Sequence, residues 1–166
     1  ANLSLIEDFI RKEGKTKPIY CGWGSMIAIS PEHMVKLVAT AIMQSGERAI
    51  VLSGVAGLSI QVLMHAISAS TSSCPSTSDE SAVTLISYAK ENILFVDKVS
   101  HEYIFPLVKC TVHHGGAGTT HAALRAGVPT IITPIFLDQF CHSKAVNIIG
   151  VGIGYPYAFQ KVTAQS

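Results

Sequence analysis

Charged residues are scarce in this sequence. Asp, Glu, Lys and Arg make up 14% of the 166 residues, against about 25% in an average globular domain. Twelve basic and eleven acidic side chains leave a formal net charge of +1, so no strong field attracts nucleic acid. The 48% share of apolar residues excludes intrinsic disorder. The length predicts a single domain over residues 1–166. The low charge indicates that part of the surface is covered, either by a further domain or through weak self-association.

The sequence also lacks cysteine pairs and an uninterrupted apolar segment. The four cysteines form no C-x-x-C pair, so we expect reduced thiols, as in the cytosol: Cys21, Cys74, Cys110 and Cys141. Residues 1–17 carry too many charges for a signal peptide. Residues 49–67 are uncharged for 19 residues, but a Gly-x-x-Gly turn favours a strand and a helix over a membrane span. We therefore expect a cytoplasmic location, peripheral to membranes in a longer protein.

Several common catalytic signatures are absent. Ile27 and His121 stand where a G-x-G-x-x-G fingerprint needs its third glycine. A Rossmann-type oxidoreductase would also need an acidic ribose ligand, which does not follow the glycine loops. No D-x-D pair is present to hold a divalent ion on a nucleotide. Zinc is disfavoured because adjacent histidines alternate faces on a strand, although five side chains invite the comparison: Cys110, His113, His114, Cys141 and His142.

Short apolar runs alternate with helical patterns along the chain. The runs predict strands at 18–23, 49–52, 93–96, 110–113, 130–134 and 151–154. Helices are predicted from Pro31 to Gly46, behind a Ser30 N-cap, and at 58–67, 102–107, 119–126 and 139–149. This order is typical of an α/β fold with a doubly wound, Rossmann-like parallel sheet. Residues 68–81, rich in Ser and Thr, are predicted to form a mobile surface excursion.

Glycine clusters follow three of the predicted strands. They lie at Gly22-Trp23-Gly24, at Ser53-Gly54 and in residues 113–120 (HHGGAGTT). In an open α/β sheet, ligands bind outside the carboxyl ends of the strands, where helix N-termini attract anions. Two such loops at one crevice predict a diphosphate site. The alternative is that the glycines only turn the chain from strand to helix.

Three ordered segments resemble the donor-binding signature of family 1 glycosyltransferases with the GT-B fold. They are residues 112–120 (VHHGGAGTT), 123–129 (ALRAGVP) and 134–139 (PIFLDQ). Residues 18–26 (PIYCGWGSM) resemble the opening of the C-terminal domain in that family. Residues 99–106 (VSHEYIFP) are similar to a segment of sterol 3-beta-glucosyltransferases. The resemblance implies that this chain is one half of a GT-B fold.

The resemblance also implies roles for particular residues. The diphosphate would be bound by His114, Gly116, Gly118, Thr119, Thr120, Gly24 and Ser25. Asp138 and Gln139 would bind the donor sugar, and Ser53, Val99 and His101 would lie on the base and ribose side. Alternatively, His114 is a core histidine, Asp138 and Gln139 cap a helix, and Trp23 serves packing only. Ser100 and Lys98 depart from the family pattern, which weakens the assignment of base contacts.

The function implied is that of a donor-binding domain in an inverting glycosyltransferase. Glucose would pass from UDP-glucose, the co-substrate, to a sterol or other lipophilic hydroxyl, without a metal or another cofactor. The resemblance places the general base in an N-terminal acceptor-binding domain, so this chain would contain no catalytic residue and would be inactive alone. The alternative is a non-catalytic nucleotide-sugar-binding subunit or activator that serves a separate acceptor-binding chain.

Overall fold

A six-stranded, wholly parallel sheet organises the part of the chain that the computed structural model describes, residues 3–71 and 78–165. The strands are β1 (Ile19–Gly22), β2 (Ala49–Leu52), β3 (Ile93–Val96), β4 (Cys110–His113), β5 (Thr130–Ile132) and β6 (Gly152–Gly154). Their order across the sheet is β3-β2-β1-β4-β5-β6. This is the doubly wound Rossmann order, in which the winding direction reverses between β1 and β4. The predicted fold class is confirmed.

The helices follow the strands as the crossover rule requires. They are α1 (Leu3–Ile10), α2 (Pro31–Ser45), α3 (Ile60–Thr71), α4 (Ser78–Asn92), α5 (His101–Ile104), α6 (Ala117–Ala126) and α7 (Gln139–Ile149). Short 3-10 turns occupy Phe105–Leu107 and Phe159–Lys161. Helix α2 begins as predicted: the Ser30 hydroxyl accepts a hydrogen bond from the His33 N–H at 3.2 Å. It ends at Gly46, whose φ of +67° is left-handed.

Apolar side chains fill both faces of the sheet. One cluster joins the strands to α2, α3 and α4 through residues such as Met34, Leu63 and Ala89. The other joins them to α1, α5 and α6 through residues such as Ile6 and Ile104. Open sheets covered in this way bind ligands outside the carboxyl ends of their strands.

The structure differs from the sequence prediction in two helices. Helix α1 was not predicted, although Ile6, Phe9 and Ile10 recur at helical spacing and pack on the second face. Helix α4 begins inside the predicted excursion at 68–81, and α3 extends into its other end. Both ends of the excursion are therefore helical, and its centre, residues 72–77, lies outside the described residues. In the described ranges, no helix is both long and apolar enough to cross a bilayer.

Candidate functional site

The two glycine loops predicted to bind phosphate meet at the switch point of the sheet. Strands β1 and β4 are hydrogen-bonded neighbours, with Gly22 paired to His113 at their carboxyl ends. The loop after β1 and the loop between β4 and α6 therefore leave the sheet side by side. A crevice at this position is where open α/β sheets bind nucleotides.

A third loop, after β2, is hydrogen-bonded to the loop after β1. The Val55 N–H donates to the Gly24 carbonyl at 3.1 Å. A Cβ on Gly54 would lie 2.5 Å from that same carbonyl oxygen, and the Gly54 φ is +58°. Only glycine fits so close an approach. The structure thus brings Gly24, Ser53 and Gly54 together at one edge of the crevice.

The His114 ring lies between the two glycine loops. Its Cε1 would be 3.6 Å from a Cβ on Gly24, and its Nε2 would be 2.5 Å from a Cβ on Gly116. The Nδ1 atom is buried and makes no hydrogen bond within the described residues. Burial lowers the pKa of His114, while the nearby Gly22 carbonyl and Asp138 raise it. At neutral pH the ring is therefore an uncharged imidazole beside the Gly22 carbonyl.

Helix α6 presents its amino terminus to the same crevice. Its N-cap is Gly116, and no side chain caps the first turn. The first backbone N–H groups of a helix have no partner within it, so they can bind an anion. These donors belong to the first-turn residues, which include Gly118 and Thr119. Thr120 does not join them: its N–H and its hydroxyl both donate to the Gly116 carbonyl, at 2.9 and 3.0 Å.

The Thr120 side chain is also only 3% exposed. In this structure the hydroxyl completes the first turn of α6, and binding of phosphate by Thr120 stays a prediction. Ser25, by contrast, is exposed, as a ligand of a phosphate-side loop would be.

Two other histidines form hydrogen bonds with the backbone of Gly115. The Gly115 N–H donates to Nδ1 of His113 at 3.0 Å, and Nε2 of His113 is 2.7 Å from the Thr130 hydroxyl. His113 is fully buried, and burial lowers its pKa to about 3. The Gly115 carbonyl lies 2.7 Å from Nδ1 of His142. Sequence reasoning missed this role of His142, because only the folded loop brings α7 to Gly115.

The two residues of the predicted sugar-binding pair, Asp138 and Gln139, have different environments in the structure. Asp138 is exposed and its carboxylate makes no capping bond to α7, so it is available to a ligand. Its charge raises the pKa of His114, which places it near the crevice. Gln139 is only 5% exposed, and its Oε1 accepts the N–H groups of Ile135 and Phe136 at 2.7 and 3.1 Å. In this structure Gln139 shapes the loop that carries Asp138, and its contact with a sugar stays a prediction.

Two of the residues predicted for the base side, Val99 and His101, pack against neighbouring side chains. The His101 ring stacks on Phe105 at 4.7 Å, and its Nε2 lies 3.2 Å from the Tyr20 hydroxyl. Burial lowers the pKa of His101. Val99 packs against the apolar cluster on the second face of the sheet. Base recognition by these side chains stays a prediction.

Two further alternatives can now be judged. Trp23 is buried, packs edge-on against Phe159 at 5.3 Å and donates to the Thr133 hydroxyl at 3.0 Å, which confirms the packing interpretation. In the part of the chain that the structure describes, no three His, Cys, Asp or Glu side chains form a group that could hold a metal. Cys21, Cys110 and Cys141 are free thiols there, and Cys141 is exposed. Cys74 lies outside the described residues.

Solved glycosyltransferase structures share this fold. A UDP-glucose:anthocyanidin 3-O-glucosyltransferase, determined in complex with UDP, matches with a TM-score of 0.61 and 21% identity. The match covers 85% of this chain and 28% of that one. The glycotransferase of kitacinnamycin matches with a TM-score of 0.61 and 17% identity, over 93% of this chain and 34% of that one. The fold class is therefore that of one half of a GT-B glycosyltransferase.

Sequence relatives narrow the class to a family. The family described as erythromycin biosynthesis protein CIII-like, C-terminal domain, matches residues 61–165, and the chain belongs to it. Sterol 3-beta-glucosyltransferases from Saccharomyces cerevisiae and Arabidopsis thaliana are each 34% identical, over 97% and 84% of this chain. One from Cryptococcus neoformans is 37% identical over 87% of the chain. The chain spans only 12%, 18% and 8% of these three proteins, respectively.

Proposed function

We propose that this chain is the nucleotide-sugar donor domain of an inverting glycosyltransferase that uses UDP-glucose. The observation that carries the proposal is the His114 ring, held between two glycine loops at the amino terminus of α6. Its unpartnered Nδ1 and the uncapped N–H groups make a small, fixed set of polar contacts suited to a diphosphate. The exposed Asp138 carboxylate, close to His114, suits the hydroxyls of the attached sugar.

The chemistry is displacement at the anomeric carbon. The acceptor oxygen forms a bond to that carbon, the bond to the β-phosphate oxygen breaks, and UDP leaves. Negative charge grows on the β-phosphate during this step, so N–H donors and an imidazole fixed beside it stabilise the transition state. We propose that these groups act without a divalent ion.

The remaining parts of the reaction belong to a longer protein. A general base must accept the proton of the acceptor hydroxyl, and we propose that this base lies in an N-terminal acceptor-binding domain. The similarity to sterol 3-beta-glucosyltransferases supports a sterol or another lipophilic alcohol as acceptor. We further propose a cytoplasmic protein that lies at membrane surfaces, with weak self-association of this domain when isolated.

Titration of the chain with UDP, UDP-glucose and NAD⁺ tests the proposal. We expect saturable binding of UDP and UDP-glucose in EDTA, with no gain on adding Mg²⁺ or Mn²⁺, and no binding of NAD⁺. Saturation-transfer NMR would show contacts to both the nucleotide and the sugar. Binding that requires a divalent ion would contradict the metal-free mechanism, and absence of binding under all conditions would contradict the function.

A further inference from the structure

The two peptide groups that flank Gly115 are held by histidines of different elements. The Gly115 N–H donates to Nδ1 of His113 in β4, so neutral His113 carries its proton on Nε2. The Gly115 carbonyl can only accept, so Nδ1 of His142 in α7 must carry a proton and donate to it. Nδ1 of His113 therefore accepts, whereas Nδ1 of His142 donates. Gly115 directly joins His114 to Gly116, the two residues around which the diphosphate site is built.

The conformation of Gly115 depends on these outside contacts. Its φ is +88°, and a Cβ there would lie 2.6 Å from Ile132 Cγ2 and 3.2 Å from the Gln139 carbonyl oxygen. Glycine is the residue that reaches this backbone region readily, yet it contributes no side chain to hold itself there. Hydrogen bonds from neighbouring elements must therefore fix the orientation of the two peptide groups on either side of Gly115.

The first turn of α7 holds two loops at once. Gln139 and His142 are three residues apart, so they lie on one face of the helix. Gln139 accepts the N–H groups of Ile135 and Phe136, which shape the loop carrying Asp138. His142 donates to Gly115 in the phosphate loop. One helical turn thus ties the proposed sugar contact to the proposed diphosphate contacts.

We propose that His142 is a positioning residue for the diphosphate site, an inference that rests on the proposed function. It touches neither nucleotide nor sugar. Its Nδ1–H fixes the Gly115 carbonyl and with it the peptide group between Gly115 and Gly116, which lies beside His114 and leads into the first N–H groups of α6. Without this bond the carbonyl of Gly115 is released, and the site must be reorganised each time the ligand binds.

Three variants of the 166-residue chain separate positioning from packing. His142→Phe keeps a ring and removes the donor, whereas His142→Asn keeps an N–H donor at the position of Nδ1 and removes the ring. His65→Phe makes the same ring exchange at an exposed position on α3. UDP affinity is measured by calorimetry and stability by urea unfolding. We expect about a tenfold loss of affinity in His142→Phe, less than threefold in His142→Asn and none in His65→Phe.

The outcomes are distinct. Equal UDP affinity in all four proteins would overturn the inference and leave the proposed function in place. Equal loss in His142→Phe and His142→Asn, with a parallel fall in stability, would reduce His142 to a packing residue. Absence of UDP binding by the unsubstituted chain would overturn the proposed function and the inference together. Independently of any ligand, ¹⁵N NMR must show the Nδ1–H tautomer for His142, and the other tautomer would overturn the inference.

Discussion

His114 and Asp138 are close enough that the carboxylate raises the pKa of the ring, yet their proposed partners differ. His114 would bind the diphosphate, and Asp138 would bind a sugar hydroxyl. We expect His114→Ala to weaken UDP and UDP-glucose equally, by about 1.5–3 kcal/mol if a charge-assisted hydrogen bond is lost. Asp138→Asn should weaken UDP-glucose and leave UDP unchanged. Calorimetric titration of both ligands against both variants makes the comparison.

The contrast within each variant is the control. Because the Asp138 carboxylate makes no capping bond and is exposed, its substitution should not change the free energy of unfolding. A loss of UDP affinity in Asp138→Asn equal to its loss of UDP-glucose affinity would contradict the assignment of Asp138 to the sugar.

The hydrogen-bond partners of side chains were harder to predict than the position of the backbone. The sequence placed His114, Gly24 and the start of α6 correctly at one crevice, because glycine, strand ends and helix starts are local signals. It did not show that the Thr120 hydroxyl is used within its own helix or that Gln139 holds a loop backbone. These bonds depend on how the chain closes in three dimensions. His142 was noticed only as a metal ligand, because its contact with Gly115 spans 27 residues of sequence.

At the scale of elements, the first turn of α6 offers a matched pair of substitutions. A Cβ on Gly116 would lie 2.5 Å from His114 Nε2, whereas one on Gly118 would have nothing within 4 Å. Gly116→Ala should therefore displace the ring and weaken UDP binding about tenfold or more. Gly118→Ala should keep the ring in place and raise the free energy of unfolding by up to about 1 kcal/mol, since alanine favours helix. UDP titration and urea unfolding measure both effects.

The pair also tests the geometry of the phosphate loop. Equal UDP affinity in Gly116→Ala and in the unsubstituted chain would show that His114 does not act from the position seen here. A clear loss of stability in Gly118→Ala would show that the start of α6 is more crowded than this structure indicates.

The strands and most helices could be predicted because their signals are local and repeated. Buried parallel strands read as short apolar runs, and α2 carries both of its caps in its sequence. Helix α4 was missed because Ser and Thr dominate the composition at its start, although Ala82, Leu85, Ile86 and Ala89 recur at helical spacing. Helix α1 was missed because its apolar stripe has only three residues in a segment rich in charge. Whether a weakly amphipathic segment forms a helix depends on the surface against which it packs, and the sequence alone does not show that surface.

For the molecule as a whole, buried neutral histidines predict acid sensitivity. Burial lowers the folded-state pKa of His113 from 6.5 to about 3. At pH values between these two pKa values, the His113 ring is protonated in the unfolded chain and neutral in the folded chain. The free energy of unfolding therefore falls as the pH falls. The loss should approach about 1.4 kcal/mol per pH unit for this side chain. His101 and His114, whose pKa values are also lowered, add to it in the same direction.

Urea unfolding between pH 7 and pH 4 measures this dependence. His113→Gln should be less stable at pH 7. The slope of its free energy of unfolding against pH should also be smaller, at pH 5 by the equivalent of about one bound proton. Where that variant does not fold, ¹H–¹⁵N NMR of the unsubstituted chain reads the state of His113 directly. A His113 ring that becomes protonated near pH 6 in the folded chain would contradict the prediction.

The whole chain should bind the donor and yet fail to glucosylate a sterol. A GT-B active site lies between two domains, and on the proposed function this chain supplies one side of it: the two glycine loops, His114 and Asp138. Without the other side the reaction loses a general base, worth roughly 10²–10⁴-fold, and most of a proximity effect of roughly 7–11 kcal/mol. Slow hydrolysis of bound UDP-glucose can persist, since water needs no acceptor pocket.

Incubation of the pure chain with radiolabelled UDP-glucose and cholesterol or ergosterol tests this expectation. A longer protein that contains the domain together with its N-terminal partner is the positive control, and the chain carrying His114→Ala is the negative one. We expect sterol glucoside only from the longer protein, and its loss there when His114 is replaced. If the isolated chain forms sterol glucoside at a comparable rate, a catalytic base lies within these 166 residues. The half-buried His142, close to the phosphate loop, would then be the first side chain to substitute, because its Nε2 is the imidazole nitrogen not engaged by Gly115.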